Sequence, residues 1–338
     1  MAVTFGVEIA EARRQQTRGD VTSVLQCRKS KVPLIAAVAN GDVGQVAALL
    51  ACGANPNDVG VAVGVDDWVD AVGVAVMTKR VDVLLLLVKA GAKPHGAGGG
   101  TEDPVFLAAL GGSADVLNVL LAAPGASVSS PRAQYVFAAA QFGYADALAA
   151  LIAAGAAPNA VPLDNKDTTP VAVTARNGDA ATLKVLIDAG ADVEKPNSAG
   201  SSPLYLAAQE GRAEVIELLV AAGADVDAPR DSGATPCFIA CVNGHVDALN
   251  ALIKAGCDVR AKVPTRAAGV YETAADVAAR NGHQACLAAL LAAGAAPPAD
   301  WDCDPDEDTV SFVCSKGASL VIKTKNGTGS VRPLQLDP

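Results

Sequence analysis

The sequence predicts an all-α solenoid of helix-turn-helix units with β-turn fingers, followed by a short β-rich C-terminal appendage. Three observations predict it. A repeat of about 33 residues recurs through most of the 338-residue chain. Each copy holds two short apolar helical patterns, each ended by a glycine. The chain is 51% hydrophobic but only 4% aromatic, so its core must be built from Ala, Val and Leu, whose small side chains let neighbouring helices approach closely.

The repeat is legible from anchor residues. Pro33, Ala71, Pro104, Tyr135, Pro170, Pro203, Pro236 and Ala274 are spaced by 38, 33, 31, 35, 33, 33 and 38 residues. Sixteen residues after every anchor stands a Leu, from Leu49 to Leu290. Four after it stands Ala, or Thr174 in the fifth copy, and twenty after it Gly, except in the third copy, where Pro124 displaces the glycine to Gly125.

One unit, Asn197 to Asp227, shows the logic. Ser202 can cap free amides and Pro203 is tolerated in a first helical turn, so a helix starts there. Leu204, Leu206, Ala207 and Ala208 give it an apolar face, and Gly211 ends it at a left-handed-compatible position. Val215, Ile216, Leu218 and Leu219 form the stripe of a second helix, which Gly223 ends. Helices of two or three turns cannot bury these faces alone and must stack on their copies.

These residues resemble an ankyrin repeat: Ser201-Ser202-Pro203-Leu204-Tyr205-Leu206-Ala207-Ala208 with Gly211, Leu218-Leu219 and Gly223-Ala224-Asp225, and again Thr235-Pro236-Cys237-Phe238-Ile239-Ala240-Cys241 with Gly244-His245 and Gly256-Cys257-Asp258-Val259. The resemblance covers eight repeats, about Lys31 to Pro298. The family usually places His two residues after the anchor, whereas this chain has Ile35, Gly73, Phe106, Phe137, Ala172, Tyr205, Phe238 and Asp276. Its fingers should therefore be held by packing rather than by that His. The second repeat departs furthest, with Ala71 for Pro and Lys79 where Gly belongs.

The organisation expected is a helical segment or cap over residues 1–30, the array over 31–299, and an acidic linker with a hairpin-like tail over 300–338. Within the first segment Met1 to Gln16 could form an amphipathic helix. In the tail Asp302, Asp304, Asp306 and Asp308 alternate, but Glu307 occupies the place of the glycine a calcium loop requires, and Val313 that of its bidentate Glu. Thr309–Cys314 and Ala318–Lys325 alternate and are rich in β-branched residues, as strands are. A lone hairpin is marginal in water, so these strands either cap the array or add to a partner.

Several classes are disfavoured. The longest strongly apolar stretch, Val83 to Val88, is too short to cross a bilayer, and the N-terminus lacks the order of a secretory signal. A net charge of −10, seated mainly in the repeats, disfavours nucleic acid and anionic membranes. Eight cysteines scattered over a long chain suit reduced thiols, hence an intracellular, cytoplasmic protein. Cys237 and Cys241 lie one helical turn apart but occupy core slots, without a second Cys/His pair in the sequence to complete a metal site. His245 and His283 follow the helix-ending glycine of their repeats, a structural position. His95 precedes the connector Gly96-Ala97-Gly98-Gly99-Gly100, which lacks the Lys-Ser/Thr ending of a phosphate loop. No nucleophile, base and orienter set is present, so the chain is read as non-catalytic, with no cofactor, metal or small-molecule substrate.

What the resemblance implies is protein binding through fingertips and the concave face made by the first helices, by a scaffold or adaptor. Residues six and seven after each anchor should line that face, and they vary where the frame does not. The expected partner-binding residues are Met77, Phe142, Tyr144, Arg176, Asn177, Gln209, Glu210, Val242, Asn243 and Arg280, with Trp68 and Tyr271 from two finger insertions, Val59–Asp70 and Ala261–Glu272. The competing reading is a substrate-targeting module whose catalytic partner is recruited through the tail.

Overall fold

The computed structural model describes residues 33–61, 68–95, 103–128, 134–161, 168–265, 270–298, 301–306, 309–314, 319–323 and 330–331. The segment 1–30, including the helix read over Met1 to Gln16, lies outside the described residues. Sixteen helices are present among those residues, in eight pairs. They are α1 (Pro33–Asn40), α2 (Val43–Ala51), α3 (Ala71–Met77), α4 (Val81–Lys89), α5 (Pro104–Leu110), α6 (Ala114–Leu121), α7 (Gln134–Gln141) and α8 (Ala145–Ala153), then α9 (Pro170–Asn177), α10 (Ala180–Asp188), α11 (Pro203–Gln209), α12 (Ala213–Ala221), α13 (Pro236–Asn243), α14 (Val246–Lys254), α15 (Ala274–Arg280) and α16 (Gln284–Ala292). Every first helix begins at its anchor or, for α7, one residue earlier.

The starts are made by short polar side chains. Thr169, Ser202 and Thr235 accept from the amides of Ala172, Tyr205 and Phe238, and Asp70 and Asp103 do the same for α3 and α5. Thr273 and Asp276 make a reciprocal capping box on α15, satisfying two amides that the helix itself cannot. The second helices end on glycines with positive φ, such as Gly223 at 94°. Ala224 there donates to the Leu219 carbonyl and Gly223 to that of Val220, the paired closure that a left-handed residue permits.

The helices fall into two compact units, divided at Asn165–Lys166. In the first, α1, α3, α5 and α7 form one layer and α2, α4, α6 and α8 the other, each helix against the next in its layer. In the second unit α9, α11, α13 and α15 stack in the same way beside α10, α12, α14 and α16. Their cores repeat as well. Residues four after the anchor are all buried to 1% exposure or less, and Leu87, Leu120, Leu151, Leu186, Leu219, Leu252 and Leu290 are at 0%. Leu49 is half-buried, in the first of the described repeats.

The two insertions are antiparallel hairpins. β1 (Val59–Val61) pairs with β2 (Trp68–Asp70), and β3 (Val263–Pro264) with β4 (Tyr271–Glu272). At the C-terminus β5 (Trp301–Asp306), β6 (Thr309–Cys314), β7 (Ser319–Lys323) and β8 (Ser330–Val331) form an antiparallel meander in that order. The strands expected at Thr309–Cys314 and within Ala318–Lys325 are there. The acidic stretch expected as a solvated linker is a correction: it is β5, paired with β6 along its whole length, from Trp301 opposite Cys314 to Asp306 opposite Thr309. Alternating acids are compatible with a strand because successive residues lie on opposite sides, so Asp302, Asp304 and Asp306 share one face, and Asp308 lies outside the described residues.

Candidate protein-binding surface

The surface is built on the C-terminal ends of the first helices, where carbonyls are left without intrahelical partners. Eight residues after each anchor the chain takes a positive φ: Gly41, Gly112, Gly143, Gly178, Gly211, Gly244 and Gly282, and in the second repeat Lys79 at 55°, the one described non-glycine to do so. The next residue of the following repeat lies directly over that turn. A Cβ on Gly112 would come within 2.5 Å of the Tyr144 ring, one on Gly211 within 2.8 Å of His245, and one on Gly244 within 2.6 Å of His283. Glycine is thus required twice, by backbone conformation and by the close approach of the neighbouring repeat.

Side chains of a following repeat reach back to these carbonyls: Arg80 donates to Gly41 at 2.7 Å, Asn243 to Gln209 at 2.8 Å and Asn281 to Val242 at 3.0 Å. Lys79 reaches the other way, donating to Gly111 of the third repeat at 3.0 Å. His283 Nε2 lies 3.1 Å from the Val242 oxygen. Apart from Lys79, in these pairs the later repeat caps the first helix of the earlier one, and His283 takes part in that capping.

Upon this frame the expected residues divide. Arg176, Asn177, Asn243 and Arg280 are exposed, whereas Met77, Phe142, Tyr144, Gln209, Glu210 and Val242 are half-buried. Asn243 and Tyr144 serve the frame as well as the surface, and Tyr144 stacks on Phe142 with ring centroids 6.0 Å apart. Arg280 pairs with Glu272 of β4. Tyr271 and its neighbour Val270 are the most exposed large apolar residues described, at 60% and 50%. Trp68 opens β2 opposite Val61, and its side chain lies outside the described residues. Phe142 and Tyr144 belong to the first unit, and Arg176, Tyr271 and Arg280 to the second.

The fingers are held by more than packing. Tyr205, at the place of the family's His, packs with Ala234 and Val263 against Phe238 and Ile239, which is the packing expected. Beside it runs a ladder of hydrogen bonds between successive fingers, absent from the sequence reading. Lys93 N donates to Asn57 Oδ1 at 2.8 Å, Asp225 N to Glu194 at 2.6 Å and Asp258 N to Asp227 at 2.9 Å. Burial, with Asp258 and Asp225 close by, pushes the Asp227 carboxyl above its usual range despite that bond.

His95, which precedes the glycine-rich connector, ties its own finger to the next one. Ser127 N donates to its Nε2 at 2.9 Å, which places the neutral ring's proton on Nδ1, 2.9 Å from Asp103 Oδ2. Tyr135 donates to the same carboxylate oxygen at 2.5 Å. Asp103 also caps α5 through Val105 N, so its negative charge organises a helix start, a histidine and the next repeat's anchor.

The cysteines supply a second feature that sequence spacing did not reveal. Cys237 and Cys241 are joined in the core by Cys257 and Cys286, all buried, through a run of thiol contacts from Cys257 to Cys237, Cys241 and Cys286. The bonds to Cys237, together with burial, push Cys241 and Cys257 above the ordinary thiol range. Cys257 comes from a finger and Cys286 from α16, one repeat on, so no local motif joins them. No group of three or more His, Cys, Asp or Glu side chains arranged for a metal ion occurs among the described residues.

No curated protein matches the chain. No described helix is long and apolar enough to cross a membrane. The family model of ankyrin repeats matches residues 136–230 and 172–263, spanning α8 to α14. Ankyrin repeats are generally protein–protein interaction modules. Residues 136–263 of this chain are thus ankyrin repeats, and the helix pairs, glycine-ended turns and fingers recur in phase with them in the other described repeats.

Proposed function

We propose that the protein is a non-catalytic scaffold or adaptor that binds a partner protein through the first-helix ends and long fingers of its repeats. One observation carries the reading. In the second unit, positions six and seven after the anchor present mostly exposed polar and charged side chains, with Arg176 and Arg280 at position six and Asn177, Asn243 and Asn281 at position seven, on a frame tied by hydrogen bonds between repeats. Polar groups on a preordered support give specificity at low ordering cost. Tyr271 and Arg280 are the strongest anchors, because tyrosine and arginine dominate interface energetics. Cys52, Cys237, Cys241, Cys257 and Cys286 are free, which supports a reducing, cytoplasmic setting.

Cross-linking mass spectrometry on the full chain in native extract tests this, beside Tyr271→Ala and Arg280→Ala variants. Cross-links should cluster near α9, α11, α13, α15 and the β3–β4 finger. Each substitution should weaken partner capture about tenfold or more, the loss typical of a hot spot, with the helical circular dichroism unchanged. Capture that both variants leave intact would sink the assignment. If capture instead follows the C-terminal strands and brings down a catalytic subunit, the targeting-module reading replaces it.

A further inference from the structure

The last outer helix, α16, breaks the pattern of the other seven. Residues fourteen after the anchor lie on the outward face of the second helix, and Ala47, Leu85, Asn118, Ala149, Lys184, Glu217 and Asn250 are all exposed there. Their counterpart in the eighth repeat, Ala288, is 0% exposed. The sequence of α16, Gln-Ala-Cys-Leu-Ala-Ala-Leu-Leu-Ala, carries no charge, as α2 also does not, yet α2 leaves Ala47 exposed where α16 covers Ala288. Terminal repeats of a stacked array ordinarily carry a polar outer face for solubility, whereas the one polar side chain of α16 is Gln284 in its first turn.

The C-terminal meander supplies the complementary surface. Paired residues of adjacent antiparallel strands share a face. Following the register from β5 through β6 to β7 puts Trp301, Cys303, Val310, Phe312, Leu320 and Ile322 on one face. The other holds Asp302, Asp304 and Asp306 with Thr309, Ser311, Ser319 and Lys323, and among them two valines, Val313 and Val321. The sheet is therefore apolar on one side and predominantly polar on the other. Strand β7 lies against α16.

We propose that the apolar face of the β5–β8 sheet seats on α16 and caps the C-terminal end of the second unit, leaving the polar face to solvent. The outer side of α16 and the apolar side of the sheet each lack a polar covering of their own, and one contact buries both. The alternating aspartates keep the free side of the sheet soluble, and Pro305 and the acids on edge strand β5 discourage pairing with another strand. In this arrangement the tail belongs to the fold and is occupied by it.

Cysteine labelling on the full chain tests the cap. Ala288→Cys and Asn250→Cys place a thiol at the same position of adjacent repeats, and site-resolved mass spectrometry reports each rate. The Ala288→Cys thiol should react at least tenfold more slowly than the Asn250→Cys thiol, at any protein concentration. Adding Phe312→Asp to the Ala288→Cys variant should bring its rate up to the Asn250→Cys level, and adding Ser311→Asp should leave it slow. Equal rates in the two single variants would overturn the proposal. So would protection that survives Phe312→Asp, which would put another surface over α16, or protection lost on dilution, which would make a second copy the cover.

Discussion

Lys79 holds a backbone conformation that glycine supplies at the same place in the other seven repeats. A left-handed conformation costs a side-chain-bearing residue about 1–2 kcal/mol, because Cβ crowds the following carbonyl. One return is the bond from Lys79 Nζ to the Gly111 carbonyl, an exposed contact of small net value. Lys79→Gly should therefore stabilise the first unit by about 1 kcal/mol, read as a rise in its urea midpoint with the slope unchanged. A fall would mean that the capping bond to the third repeat outweighs the strain. The sequence showed Lys79 as a departure from the repeat. That the departure is accommodated by strain, with the helix pair α3–α4 intact, is a property of the folded backbone.

At the scale of the element, each helix is too short to persist alone and is held by the pair stacked on either side. Leu219 is wholly buried in α12, between α10 and α14. Leu219→Ala should cost about 2–5 kcal/mol, and hydrogen exchange should quicken in α10 and α14 as well as in α12, since neighbouring repeats share the interface. An effect confined to α12, or none, would contradict the stacking. The elements show how far a single sequence carries the argument. Caps, helix starts and helix ends follow from local chemistry, Ser202-Pro203 and Gly211 being enough to bound α11. The β5 strand was misread because its acids suggested solvation, whereas alternation is as much a strand's signature. Its partner β6 lies in the chain just beyond, but pairing is decided by the whole sheet.

The molecule as a whole gathers side chains that the sequence scatters. Cys237, Cys241, Cys257 and Cys286 meet in the core of the second unit, while Cys52 is exposed in the first. Of these five cysteines only Cys52 should be alkylated in the native protein, and the other four should become reactive together when the second unit unfolds. Peptide mapping after iodoacetamide labelling across a denaturant series checks this, and early labelling of Cys241 would show that the core opens locally. The period of about 33 residues, the two helices in each copy and the candidate face all came from the order of residues. Those features depend on near neighbours and on a repeated pattern, which a sequence carries openly. Three others depend on contacts between repeats: His95 with Asp103 and Tyr135, the return of Asn243 and His283 to the carbonyls before them, and the covering of Ala288. They join residues about 30 to 40 positions apart or in different elements, with no local motif to mark them, so only the packed structure decides which side chains complete them.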